Sequence, residues 1–565
     1  MKFLNLNKFL VIILLLATFL RFYNLSANRP SLTNDEAALG YNAYSILKTG
    51  HDEHGEYLPI VFKSFGDWKP GLYIYATIPS VALFGLTEFS VRLPSALFGV
   101  IGVFLIYLLS KYLFRSEKIG LLSAFFLAIS PWHLNFSRGA WEANLALTLL
   151  LAGTVLFLYS LRRPSLIFLS AIFFGLTFWT YQSAKVASVI VLISLTICYL
   201  KELKEFSRKY LSWSFLIGSL LIIPIVLSLF SGKGGRLEVM SVFSYRRSEP
   251  YIESTILNQD NITEDSFVFK LFHSEEFNFV RGIAGRYFNH FSGRYLFIDG
   301  DWQNQKHSSP NIGYLLLLDM FFFVSGFYAL FKNKKREYLF VLAWLLLAPF
   351  ASALSRDSIH GVRSLNMVAP LSITLALGAD VLFSLSKKLR YYLGYLVVFI
   401  FGCLYLFNFF IYLDAYYIHG PVEYARYLMY GYKDVVREVI PIRKNYEKIL
   451  FSQSYDQPYI YFLFYGVDSS DEIYQPQKFV ENRSFLPNGY GDVGLVEDFA
   501  NIEFRSINWP TDKNNDGWLI VGRESDFPLE EIDVSPDYKV KRFYYPDGSV
   551  SFIMVEVHKK NAENN

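Results

Sequence analysis

Roughly eleven stretches of this chain stay apolar for about twenty residues with few or no charges, and nothing else constrains its fold as strongly. They fall near 3–22, 92–113, 118–132, 143–161, 165–181, 183–200, 211–231, 311–331, 338–355, 364–385 and 392–413. They are the expected membrane-spanning helices. With 565 residues, 53% of them hydrophobic, the chain cannot be one ordinary soluble domain. Residues 71–86 are ambiguous, because Pro79 and Gly85 interrupt a stretch that is short for a full crossing. Lys2, Lys8 and the apolar run after them have the outline of a secretory signal. That run ends in Arg21-Phe22-Tyr23 and no small-residue cleavage pattern, so an uncleaved first span is expected.

Charge sets the sidedness. Basic clusters at Lys111/Arg115/Lys118, Arg162/Arg163, Lys201–Lys209, Lys332–Arg336 and Lys387–Arg390 can all share the cytoplasm with the amino terminus if 71–86 does not cross. The outer face then carries 23–91, the loops 232–310 and Arg356–Arg363, and everything after 414. In the outer loop 232–310, Arg281, Arg286 and Arg294 alternate with Phe288, Phe291, Tyr295 and Phe297, as in a segment lying among headgroups. The same cations also suit loop carboxylates. Residues 415–565 change texture. Short strand-like pieces at Lys448–Phe451, Tyr459–Phe464, Trp518–Gly522 and Ser551–Val557, a helix at 422–441 and a frayed tail at Lys559–Asn565 predict a small α/β domain.

Five polar islands share the outer face. Asn34-Asp35-Glu36 reads as a helix cap or as a base, and adjacent helical carboxylates do not face the same way. Lys69 reads as a snorkelling lysine or as a point charge for a phosphate. Arg138 and Glu142, four apart in Pro131–Asn144, would pair on one helix face. Arg363, in Arg356-Asp-Ser-Ile-His360-Gly-Val-Arg363, has the fork to clamp phosphate oxygens. Asp299-Gly-Asp301 with His307 suits a cation or simply a turn. No spacing defines a metal site, and Cys198 and Cys403, both in apolar runs, read as buried small hydrophobes. No nucleotide loop, nucleic-acid signature or internal repeat is present in the sequence. Polar groups gathered at a membrane mouth argue against a transporter, which wants them at mid-membrane.

The ordered set Asn34-Asp35-Glu36, Asp67-Trp-Lys69-Pro-Gly-Leu-Tyr73, Phe84-Gly85, Glu88-Phe-Ser-Val-Arg92-Leu-Pro-Ser95, Ser130-Pro131 with Arg138 and Glu142, and His360-Gly-Val-Arg363 followed by Pro370 resembles the GT-C glycosyltransferases of family 39. Those enzymes include protein O-mannosyltransferases and the aminoarabinose transferases acting on lipid A. The resemblance covers most of 1–413 and implies a polytopic α-helical membrane protein of GT-C fold, with about 11–13 spans. A transferase domain at 1–414 would precede an extracytoplasmic α/β domain at 415–565. It implies transfer of one sugar from a polyprenyl-phosphate donor to a protein, lipid or glycan hydroxyl outside a bacterial plasma membrane, with inversion. Asp35, Glu36 and Glu142 would be the catalytic carboxylates, Asp35 the base. Lys69, Arg92, Arg138, His360 and Arg363 would bind substrate, Lys69 at the donor phosphate and Arg92 also through architecture. No cofactor is required; a divalent cation is admitted. Two departures bear on that cation and on geometry: Trp68 stands where the family often has glutamate, and Glu142 where it usually has aspartate. The competing reading is a ligase- or flippase-like protein handling polyprenyl-linked polysaccharide.

Overall fold

A computed structural model describes residues 7–65, 67–231, 241–244, 267–272, 274–389, 391–485 and 496–558. Within the loop expected at 232–310, residues 232–240 and 245–266 lie outside the described residues, as does the tail Lys559–Asn565. Contacts divide the chain into two compact units: 1–20, 99–136 and 146–412 form the first, and 21–98, 137–145 and 413–565 the second.

Among the described residues, every expected span contains a helix. Among the described residues, six helices are long and apolar enough to cross a membrane: Glu88–Phe114, Glu142–Ser160, Arg208–Phe230, Arg336–Ala353, Leu365–Ser386 and Tyr392–Glu423. A seventh is added if Glu117–Ile129 and Pro131–Ser137, bent by 60°, count as one. Proline explains that bend, since Pro131 cannot continue the ladder of the preceding helix. The other expected spans are helices of 12 to 17 residues: Lys8–Phe22, Leu166–Thr177, Gln182–Cys198 and Asp319–Lys332. The run expected at 311–331 becomes helical only at Asp319, after an irregular approach. Leu72–Phe84 has 13 residues, about 20 Å of rise, which is short against a hydrocarbon core of about 30 Å.

Burial separates these helices by role. In Glu142–Ser160, 89% of the apolar window is buried, whereas in Arg208–Phe230 and Tyr392–Glu423 only 11% is. The latter two present Phe215, Leu220, Phe230, Phe399 and Phe407 outward, a surface that only an apolar solvent can cover. Within the first unit, Asp319–Lys332 and Val368–Ser386 cross at Gly326 and Gly378. A Cβ on either would lie within 2 Å of a backbone carbonyl oxygen of the other helix, Thr374 O or Phe322 O. Small residues thus let two backbones touch where no hydrophobic effect drives them together. Leu166–Thr177, Gln182–Cys198 and Arg208–Phe230 line an apolar cavity of about 570 Å³.

The second unit carries the sheet. β1 (Val61–Ser64) and β2 (Asp67–Pro70) form an antiparallel hairpin. The carboxyl-terminal strands β3 (Lys448–Phe451), β4 (Arg483–Phe485), β5 (Val496–Phe499), β6 (Ile502–Phe504), β7 (Trp518–Gly522), β8 (Tyr538–Tyr544) and β9 (Val550–Val557) order as β4-β5-β6-β3-β7-β9-β8. β3 pairs parallel with both β6 and β7, and the outer strands are antiparallel. Of the strand-like pieces, Tyr459–Phe464 is helical instead, within Tyr459–Gly466. Its residues 459–464 are all buried, and a run buried all round shows no period to tell helix from strand. The helix expected at 422–441 is broken into Gly420–Glu423, Arg426–Leu428 and Tyr432–Ile442, with left-handed residues Met429 and Gly431 between the last two.

Candidate active site

In the second unit, Asn34–Thr49 starts where Thr33 closes a capping box with Glu36. The Thr33 hydroxyl accepts from Glu36 N at 3.4 Å, and Thr33 N donates back to Glu36 Oε2 at 3.0 Å. The helix ends at Gly50, whose φ of +75° is left-handed. This cap fixes the orientation of the two neighbouring carboxylates, and they part company.

Glu36 turns inward. Its carboxylate accepts from Arg92 Nε at 3.0 Å and Nη2 at 3.3 Å, and from Ala140 N at 2.9 Å, besides the cap. Arg92 is fully buried, and its remaining donors meet the carbonyls of Leu25, Ser26, Arg29 and Ser31. Burial raises the Glu36 pKa, but the charges of Arg92 and Arg29 and the bonds from Arg92 and Ala140 outweigh it and hold the group below its ordinary range. A carboxylate bonded on both oxygens and kept ionised is a strut. It ties 25–31, the cap and residue 140 into one piece, as Arg92 does from the other side.

Asp35 turns outward and forms an ion pair with Lys69, delivered by β2. The Asp35 side chain is 34% exposed and that of Lys69 15%, so solvent reaches the pair from the acid's side. The lysine ammonium also lies 5.8 Å from the centre of the Phe65 ring. Within reach of the same cap, Asn34 Nδ2 donates to Asp456 Oδ1 at 3.0 Å. Asp456 itself is held at φ +68°, a conformation costly for a residue with a side chain.

Arg138 and Glu142 do not share a helix. Pro131–Ser137 ends before Arg138, and Glu142 opens the next helix, where a carboxylate is favoured. Arg138 Nε donates to the Tyr416 hydroxyl at 3.1 Å, and its guanidinium sits 5.4 and 5.1 Å from the rings of Tyr416 and Tyr417. Arg29 is a buried cation that the sequence did not single out. It has φ +69° and stacks 5.6 Å from the Trp141 ring. Burial pulls its pKa down, countered in part by the nearby charge of Glu36. Nothing in Asn28-Arg29-Pro30 marks it for this role.

In the first unit, the fourth and fifth polar islands meet. Asp301 Oδ2 accepts from Gly361 N at 2.8 Å and lies 2.9 Å from His307 Nδ1, while the His307 and His360 rings are 4.9 Å apart. Arg363 pairs with Asp357 at 2.6 Å and lines a cavity of about 280 Å³ with Tyr181, Gln182, Ser183, Ser241 and Ser355. In the segment expected at the headgroups, Arg286 donates to Ala353 O and Arg294 pairs with Asp299 at 2.6 Å, so both have protein partners.

Comparison with solved structures gives ArnT from Cupriavidus metallidurans bound to undecaprenyl phosphate, with a TM-score of 0.53 and 12% identity, covering 96% of this chain and 97% of that one. The chain has the GT-C fold. The archaeal oligosaccharyltransferase AglB from Archaeoglobus fulgidus, in complex with an inhibitory peptide and a dolichol-phosphate, shares it at a TM-score of 0.51 and 13% identity, over 96% of this chain and 73% of its own. Within this GT-C chain, residues 69–230 match the family model described as dolichyl-phosphate-mannose-protein mannosyltransferase. A Bacillus subtilis (strain 168) protein named "Putative mannosyltransferase YkcB" is 30% identical over 168 residues, 29% of this chain. The match spans 22% of that relative's length. The family match begins at Lys69 itself, the lysine that reaches Asp35 in the GT-C chain described here.

Proposed function

We propose that the protein is a membrane glycosyltransferase that moves one sugar from a polyprenyl-phosphate carrier to an acceptor hydroxyl, with inversion, on the outer face of a bacterial plasma membrane. The observation that carries this reading is the Asp35–Lys69 pair, which puts a solvent-reached carboxylate against a cation at the start of an otherwise buried helix. The GT-C fold and the match to a mannosyltransferase family model support it.

In this reading the pair is the resting state of the site. Lys69 neutralises Asp35 until the donor's phosphate arrives and takes the ammonium as its own counter-ion. Asp35 is then free to accept the proton of the attacking hydroxyl. The hydroxyl oxygen bonds to the anomeric carbon from the face opposite the phosphate. The bond between that carbon and the phosphate oxygen breaks, and the electron pair leaves on the polyprenyl phosphate, whose charge Lys69 meets. Glu142 and Arg138 are assigned to the substrate side and Arg363 to phosphate recognition. Glu36 and Arg92 hold the cap that aims Asp35. Residues 415–565 form an extracytoplasmic domain, and Asp456 brings that domain to the residue preceding the base.

The test uses the full chain in lipid nanodiscs with radiolabelled polyprenyl-phosphate monosaccharides and isolated membranes as acceptor. Wild type is expected to move label. Asp35→Asn is expected to fold and retain donor yet lose about 10²–10⁴-fold in turnover, the usual contribution of a positioned base. Lys69→Ala is expected to weaken donor retention. Full turnover by Asp35→Asn would refute the assignment.

A further inference from the structure

We infer that Asp301, His307 and His360 form a binding site for a borderline divalent cation of the zinc type, which staples the loop at 299–307 to the segment 357–364. Each of the three offers one nitrogen or oxygen atom, and these atoms lie within 4.8 Å of one another. They are the one such group of three among the described residues. A tetrahedral ion with bonds of about 2.0–2.2 Å holds neighbouring ligand atoms about 3.3–3.6 Å apart. The Asp301–His307 separation of 2.9 Å is a hydrogen-bond distance shorter than that edge, so to admit an ion the pair opens by a few tenths of an ångström and His360, within 4.8 Å, closes in. Two imidazoles and one carboxylate, in a buried setting without thiolates, suit zinc-like ions rather than calcium or magnesium.

The surroundings hold the three groups in place. The far oxygen of Asp301 accepts from the backbone N–H groups of Gln303 and Asn304 at 3.2 and 3.0 Å, which fixes the carboxylate's plane. The Tyr314 hydroxyl donates to His307 O at 3.2 Å, and Tyr314 stacks on Trp132 at 4.1 Å. Trp132 Nε1 in turn donates to Gly361 O at 3.1 Å, next to His360. Ser364 Oγ donates to His360 O at 2.8 Å and is itself 2.8 Å from the Tyr295 hydroxyl. A Cβ at position 361 would fall 1.8 Å from the Tyr314 hydroxyl, so the segment carrying His360 has no slack. Ligands oriented by outer partners of this kind are characteristic of metal centres. Asp301 and His307 already stood in an island that suits a cation, but their meeting with His360 is not legible in sequence, because Asp301 and Gly361 are 60 residues apart.

Because His360 is also among the residues expected to bind substrate, the test reads metal rather than activity. The full chain, purified by an affinity tag free of histidine, is dialysed against zinc, passed over a chelating resin and analysed by inductively coupled plasma mass spectrometry. About one zinc per chain is expected. His307→Ala and His360→Ala should each retain at least fivefold less, and cobalt loading should give a ligand-field spectrum in wild type alone. Should His307→Ala not fold, the half-buried His360→Asn tests the same claim, with size-exclusion elution as the check on folding. Chelator is also expected to lower the melting temperature of wild type and leave that of His360→Asn unmoved. Wild type that holds no zinc, or folded variants that hold as much as wild type, would overturn the site.

Discussion

Asp35 and Glu36 are neighbours in sequence and opposites in surroundings, and replacing each by its amide should separate them cleanly. In Glu36→Gln, whichever way the amide turns, its NH₂ faces two N–H donors. On one side these are Arg92 Nε and Ala140 N, and on the other Thr33 N and Arg92 Nη2. The substitution therefore breaks charge-assisted bonds and leaves the fully buried Arg92 without its carboxylate. Removing one partner of a buried pair costs about 3–5 kcal/mol. Asp35→Asn, by contrast, disrupts a pair that water already reaches, and the expected cost is about 1 kcal/mol. The assay is thermal unfolding of both variants and wild type in the same nanodisc, with turnover measured on the same samples. Glu36→Gln should melt well below wild type, and Asp35→Asn should melt close to it while losing turnover. The acid dependence adds a check of sign. The folded pKa of Glu36 lies below its ordinary 4.5, so its stabilising share is present above that pH and is lost as pH falls through the folded value. The gap between wild type and Glu36→Gln should accordingly narrow in acid. Equal melting of Glu36→Gln and wild type at neutral pH would sink the claim that Glu36 is a strut.

Three further outcomes follow from the geometry. Burial, ahead of the opposing bond from Asn42, pushes Glu53 up to about 7, so the folded state binds its proton more tightly than the unfolded chain. Stability should fall as pH rises from about 4.5 to about 7, and Glu53→Gln should flatten that fall in a melting series from pH 5 to 8. Gly378→Ala should destabilise by more than about 3 kcal/mol, beyond ordinary overpacking, because its new methyl meets the Phe322 carbonyl rather than a movable side chain; differential scanning calorimetry reads this directly. Asn34→Ala and Asp456→Ala both remove one bond, so each should lower stability by about 1–2 kcal/mol. Their double variant should fall short of the sum by about 1 kcal/mol, read in a double-mutant cycle.

The helices were legible because apolar runs of bilayer length need no partner to be recognised, and each of the eleven runs contains a helix among the described residues. Their breaks were less so: the bend before Pro131 and the irregular approach to Asp319 depend on packing as much as on composition. Lys69 and Asp35 stood out separately, but nothing in sequence says that residues 34 positions apart touch; the hairpin 61–70 does that, and its short strands carry no strong pattern. Arg138 and Glu142 illustrate the converse, since a spacing of four has meaning only if a helix runs through both, and here one ends and another begins. Tyr459–Phe464 misled for a related reason: aromatic residues favour strands until a run is buried on every side.

Residues 21–98 and 413–565 belong to one compact unit. The face of Asn34–Thr49 that Tyr461 and Tyr474 cover is therefore made by residues the ribosome adds more than 400 positions later. Tyr461 donates its hydroxyl to Leu32 O, and Tyr41 donates to Tyr474 O. During synthesis the segment that begins at Asn34 must wait, half-finished, until residues beyond Tyr474 have been made. Deleting the carboxyl-terminal residues would thus not trim an accessory piece; it would strip the wall from the helix that begins at Asn34 and leave a nascent segment with nothing to fold against. A chain that stops short of Tyr461 and Tyr474 leaves that helix without the residues that cover it.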